Sequence, residues 1–205
     1  VLKAVLATQS TSFSLLNMYD VCGIENMTLY AKNCRYTVHD DYQTANNVRC
    51  TRLIKDVIFI GEYCGYGSVY GSGLKGNSDW VFENCEFDAT KCAPDGTGGN
   101  SFSNHNNINV TTPSFITFKN CRMKNNKANY NTLRLLSMTN GSANGTVTVH
   151  LYGNEIEGIT LGENNASQYG AGICYWVNGF YNINTKGVAI SNTDEHDYSG
   201  NVDLI

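Results

Sequence analysis

Asp79–Phe87 reads D-W-V-F-E-N-C-E-F. The pattern returns near Phe115–Met123 as F-I-T-F-K-N-C-R-M, and more loosely at Glu25–Tyr36 as E-N-M-T-L-Y-A-K-N-C-R-Y. A further copy without the cysteine lies at Val147–Ile156, V-T-V-H-L-Y-G-N-E-I. Each is a short alternating strand, an asparagine in a turn, then a second short strand. One strand unit repeating every few dozen residues predicts a stack of coils.

Spacing selects the kind of stack. The intervals shrink from Asn84 to Asn120, Asn154 and Asn184, and Asn33 to Asn84 spans about two shorter turns with V-I-F-I as the middle copy. Unequal intervals do not fit leucine-rich or ankyrin repeats. They fit an all-β, single-stranded right-handed parallel β-helix (a β-solenoid) whose coils carry variable projecting loops. A corner asparagine suits such a stack, because its amide can bond to the next coil. The cysteine after the asparagine, at Cys34, Cys85 and Cys121, should form a column. Buried reduced thiols are the preferred reading, with disulfides between coils as the alternative. A reduced framework points to assembly inside a cell.

Composition agrees. The 205 residues are 41% hydrophobic but only 16% charged, with 20 Gly, 2 Pro and 8 Cys. Asn, Ser, Thr, Gly and Tyr stand where Lys and Glu usually cover a surface. That surface suits a sugar better than a phosphate backbone. The formal net charge is -4, and the absence of a Lys/Arg block argues against nucleic-acid binding. No apolar run is long enough to span a bilayer. No C-x-x-C zinc pattern and no G-x-S-x-G nucleophile elbow occurs. The chain reads as one β-helix domain over 1–205, expected to be cut from a longer chain, with 1–16 either a linker or a first edge strand. Asp88–Asn107, polar throughout, is expected to project from the stack.

V-F-E-N-C-E-F, I-T-F-K-N-C-R-M and N-M-T-L-Y-A-K-N-C-R-Y-T-V-H-D-D resemble coils of the pectate-lyase-like β-helix domains of bacteriophage tailspikes and appendages. The resemblance spans roughly Ile24 to Ile190. It implies a homotrimeric virion component, assembled in the host cytoplasm and joined to other domains of its parent chain. Its partner would be a bacterial surface polysaccharide or wall glycopolymer, which many relatives also cleave. Pectate lyases use Asp-bound calcium, but no Asp-rich column of that type occurs here, so no metal or cofactor is expected.

Three constellations could carry chemistry. Arg35, His39, Asp40 and Asp41 are the densest polar cluster; a strand over Cys34–His39 would put Arg35 and His39 on one face, with the aspartates at the corner. Two acids with pKa values pushed apart are what glycosidic cleavage needs, so Asp40, Asp41 and His39 are catalytic candidates and Arg35 a binding one. The plain alternative is a solvated corner. The excursion contributes Asp95 as a further acid, and His105 and Asn106 as sugar contacts; otherwise it faces water or a neighbour. Tyr66, Tyr70 and Trp176 could stack on pyranose faces, or could pack in a core or interface.

Overall fold

A computed structural model describes residues 1–20, 22–42, 49–72, 78–104, 114–124, 133–134, 146–157, 174–184 and 189–192. The chain is a multi-turn β-solenoid of fifteen strands among these residues. In order they are β1 Leu2–Val5, β2 Leu16–Tyr19, β3 Cys22–Lys32, β4 Val38–Tyr42, β5 Cys50–Glu62, β6 Ser68–Ser72, β7 Ser78–Glu83 and β8 Glu86–Lys91. Then come β9 Asn100–Asn104, β10 Ser114–Lys119, β11 Arg122–Lys124, β12 Leu133–Arg134, β13 Thr146–Glu157, β14 Cys174–Asn184 and β15 Ala189–Asn192. A ten-stranded long sheet holds β1, β3, β5, β7, β8, β10, β11 and β13–β15. A five-stranded short sheet runs β12-β9-β6-β4-β2.

The long sheet bends along one line. At that line the backbone turns left-handed in five successive rungs: Asn26 (φ 55°), Asp56 (53°), Asn84 (53°), Asn120 (52°) and Gly153 (63°). The pairing Glu25↔Lys55↔Glu83↔Lys119↔Tyr152 puts these five side by side. A left-handed L-residue costs roughly 1–2 kcal/mol, and Asn, Asp and Gly bear it best. The amides also form a ladder: Asn84 Nδ2 donates to Asp56 Oδ1 at 3.0 Å, and Asn120 Nδ2 to Asn84 Oδ1 at 3.4 Å. Asn84→Ala is therefore expected to lose about 1–2 kcal/mol in urea unfolding, and Asn84→Gly less. Equal losses from both would mean that the ladder, not the φ angle, matters.

The asparagine register differs from the expected one. Asn84 and Asn120 stack as anticipated, but Asn26 rather than Asn33 continues their column. Asn33 (φ 59°) lies at a second corner with Tyr63 (φ 51°), and its amide donates to Leu6 O at 2.8 Å. Asn154 is slipped by one, because Gly153 takes the left-handed turn. Asn154 occupies the cysteine position instead: its Oδ1 accepts from Cys121 N at 2.8 Å and its Nδ2 donates to Phe118 O at 2.9 Å. The cysteines accordingly form two columns. Cys85 and Cys121 line the bend, whereas Cys34, Cys64 and Cys92 follow the second corner, where Gly65 N donates to Cys34 O and Cys64 N to Cys92 O, both at 2.8 Å. None of the seven cysteines described is in a disulfide, and six are buried.

Parallel pairing in register sets like residues one strand spacing apart, about 4.8 Å. Inward rings therefore stack: Phe59 on Phe87 (centroids 4.8 Å), Phe82 on Phe118 (4.9 Å) and Tyr70 on Phe102 (5.5 Å). Rings from different faces meet edge-on, as Tyr70 and Phe82 do at 88°.

Two expectations need correction. Residues 88–104 do not project. The chain turns tightly after β8 and returns as β9, with Cys92, Ala93, Asn100, Ser101, Phe102 and Ser103 buried. Asn100 bonds to the neighbouring coil, where Ser68 Oγ donates to its Oδ1 at 3.0 Å. The parallel stack also does not continue through Asn184. After β13 the chain reverses, and β14 pairs with it antiparallel from Thr146↔Asn184 to Glu157↔Cys174, with β15 antiparallel beyond.

Candidate functional site

The candidate residues divide between the inside and the outside of the solenoid. Asp40 lies within β4, not at a corner, and the period of two turns its carboxylate inward. It is 0% exposed. Arg52 Nε of β5 donates to Oδ1 at 3.1 Å, while Tyr70 OH (2.6 Å) and Trp80 Nε1 (3.0 Å) donate to Oδ2. Burial pushes the Asp40 pKa up, against the opposing pull of Arg52 and of the Tyr70 and Trp80 donors. Burial likewise carries the Tyr70 phenol well above its ordinary range, helped by the Asp40 charge. Arg52 is also fully buried. This quartet is a polar knot inside the core, closed to a polymer outside, in which Arg52 Nη1 alone lacks a hydrogen-bond partner.

Arg35, His39 and Tyr66 gather around Tyr36; Tyr66 is exposed, whereas His39 is buried. The strand begins at Val38, so Arg35–Thr37 form the corner leading into it. Thr37 turns inward and donates to Ile60 O at 3.1 Å. Tyr36 is buried and lies over Gly71, where a Cβ would come within 2.6 Å of the ring. Its ring stacks on His39 (centroids 5.3 Å, planes at 20°) and on Tyr66 (5.6 Å, 28°). The Arg35 guanidinium carbon sits 5.2 Å from both tyrosine centroids. Tyr66 is 50% exposed. Phe13, 49% exposed, joins the same corner by accepting at its carbonyl from Arg35 N at 2.6 Å. The result is a small aromatic platform whose exposed ring is Tyr66, backed by buried Tyr36 and His39, with a cation against it.

Tyr36, the centre of this platform, was not among the candidates. A signal for it does exist: both corners read Cys-x-Tyr, at Cys34-Arg35-Tyr36 and Cys64-Gly65-Tyr66. In a stack, equal positions in successive coils become neighbours, and that puts the two rings in contact.

Asp95 is elsewhere, in the turn between β8 and β9. It is exposed, and its Oδ1 accepts from Thr97 N (3.0 Å) and Thr97 Oγ1 (2.6 Å). Those hydrogen bonds hold its pKa below the usual value. Asp41 lies in β4 and Trp176 in β14, but the description of both stops at the backbone. His105 and Asn106 lie outside the described residues.

A second concavity, of about 460 Å³, lies against the long sheet and is lined by Gly23, Leu53 and Val81 with Glu25, Lys55 and Glu83. Its charges alternate along one row, and the row continues to Lys119, 3.4 Å from Glu83. It offers neither a stacked ring nor an unpaired arginine. Among the described residues, no three His, Cys, Asp or Glu side chains are placed to hold a metal ion. No protein-family model matches the sequence, and neither a curated protein nor a solved structure does.

Proposed function

We propose that this β-solenoid is a recognition module for a bacterial cell-surface glycopolymer, carried as a trimer on a phage tail or appendage. The observation that supports it is the exposed Tyr66 ring, backed by the buried Tyr36 and His39 rings, with Arg35 against both tyrosines. A flat, half-exposed ring such as Tyr66 suits the apolar face of a pyranose unit. The phage setting draws on the coil resemblance. A trimer would cover the exposed apolar side chains of the long sheet, Leu53 and Ile58.

Binding without cleavage is the better-supported form. Cleavage needs two reachable acids about 5–10 Å apart. Asp40, whose pKa burial raises, is sealed from solvent, and Asp95 is an exposed, ionised turn residue. The test is retention of purified host wall polymer and capsule by the protein. Tyr66→Ala is expected to weaken retention by about 2- to 10-fold, the size of one lost aromatic contact. Mass analysis of the supernatant completes it: intact polymer fits recognition, whereas discrete released oligosaccharides would make the module an enzyme.

A further inference from the structure

We propose that the platform selects a negatively charged repeat unit, with Arg35 as the residue that reads the charge. This rests on the platform being the glycan-binding face. Arg35 differs from the other arginines whose side chains are described. Arg49 pairs with Asp79, Arg52 with Asp40 and Arg122 with Glu155. Arg35 has no carboxylate partner among the described residues. Its Nε is buried with no hydrogen-bond acceptor, an arrangement that costs stability without a compensating role. Two tyrosine faces hold it in place, both at 5.2 Å.

The rings fix the guanidinium by cation–π contact and leave its charge uncompensated by any anion. Elsewhere on the described surface lysines are neutralised in pairs: Lys32 with Glu62, Lys119 with Glu83, and Lys124 with Glu86. An acidic chain with net charge -4 thus presents a pre-positioned guanidinium, without an anionic partner among the described residues, beside an exposed ring. A guanidinium fork matches the paired oxygens of a carboxylate or a phosphate, and it discriminates against a neutral hydroxyl. The ligand unit is therefore a sugar or polyol bearing an anionic oxygen pair, next to an apolar face that lies on Tyr66.

Two sources supply that chemistry, the carboxylate of a uronic acid and the phosphodiester of a polyol-phosphate polymer. The experiment measures affinities of the full chain by calorimetry for three probes: a glucuronate-containing oligosaccharide, the same oligosaccharide with its carboxyls reduced to alcohols, and poly(glycerol phosphate). Wild type, Arg35→Lys and Arg35→Gln are compared, each with an unchanged circular-dichroism spectrum. At least one anionic probe is expected to bind wild type about 10- to 100-fold more tightly than the reduced probe, the value of a charge-assisted hydrogen bond. Arg35→Gln is expected to abolish that preference, and Arg35→Lys to retain part of it. The preferred anionic probe identifies the source. Equal binding of the reduced and acidic probes, unaffected by Arg35→Gln, would overturn the charge reading and leave glycan recognition standing. No binding of any probe, or of host polymer, would overturn both.

Discussion

Arg52→Leu is expected to destabilise the fold by about 3–5 kcal/mol, the usual loss when one member of a buried ion pair is removed. Asp40 would remain inside the coil with only the Tyr70 and Trp80 donors to offset its charge. Urea unfolding at neutral pH measures the loss, and a loss under about 1 kcal/mol would show that those two donors suffice alone. The pH dependence has a definite sign. The folded pKa of Asp40 is raised, so the folded chain holds this proton more tightly than the unfolded chain does. Its contribution is full below the unfolded value, about 3.9, and is lost as pH rises through the higher folded value. The stability of wild type relative to Asp40→Asn should therefore fall as pH rises through that window. A gap that instead widened with pH would mean that Arg52 outweighs burial.

Phe82→Ala is expected to cost a similar amount, about 3–5 kcal/mol. Phe82 stacks on Phe118 at 4.9 Å and meets Tyr70, Phe87 and Phe102 edge-on at 5.2, 5.4 and 5.8 Å. These partners come from the coil before, its own coil and the coil after. The rungs hold their spacing through backbone hydrogen bonds, so the walls cannot collapse into the vacated space, and a cavity remains. Loss of one ring also weakens the coupling between adjacent coils, which in a stacked protein carries the cooperativity. The variant should thus show a broader urea transition as well as a lower midpoint. A loss below about 2 kcal/mol with an unchanged slope would mean that neighbouring rings refill the site.

The solenoid itself was legible because a strand, an asparagine and a buried small residue recur in an order that only stacking uses. The register was not, for a local reason. Asn26 and Asn33 both sit at left-handed corners, and only Asn33 is followed by a cysteine, so matching on Asn-Cys pairs the wrong corners. At Gly153-Asn154 the turn passes to glycine and the asparagine moves one place inward, which the residue types alone do not reveal. The polar stretch after Asp88 looked like a loop because Asn100 bonds to Ser68 and Gly67, which belong to another coil. Asp40 misled similarly. His-Asp-Asp reads as a wet corner, and its burial depends on Arg52, Tyr70 and Trp80, all distant in sequence. Arg35 and His39 were grouped on one face by strand alternation. The structure brings them together through Tyr36 at a corner instead.

The reversal at β14 has a consequence for how such a chain can lengthen. A parallel rung hands its direction and spacing to the next, so a duplicated coil could be spliced between two existing ones and inherit both. An antiparallel strand passes on neither. With β14 laid along β13 over nearly the whole of that strand, a further coil of the same kind has no template on that side. On this side added length must enter upstream of Thr146, among the parallel rungs, and the stack that carries the Arg35 and Tyr66 corner would lengthen with it.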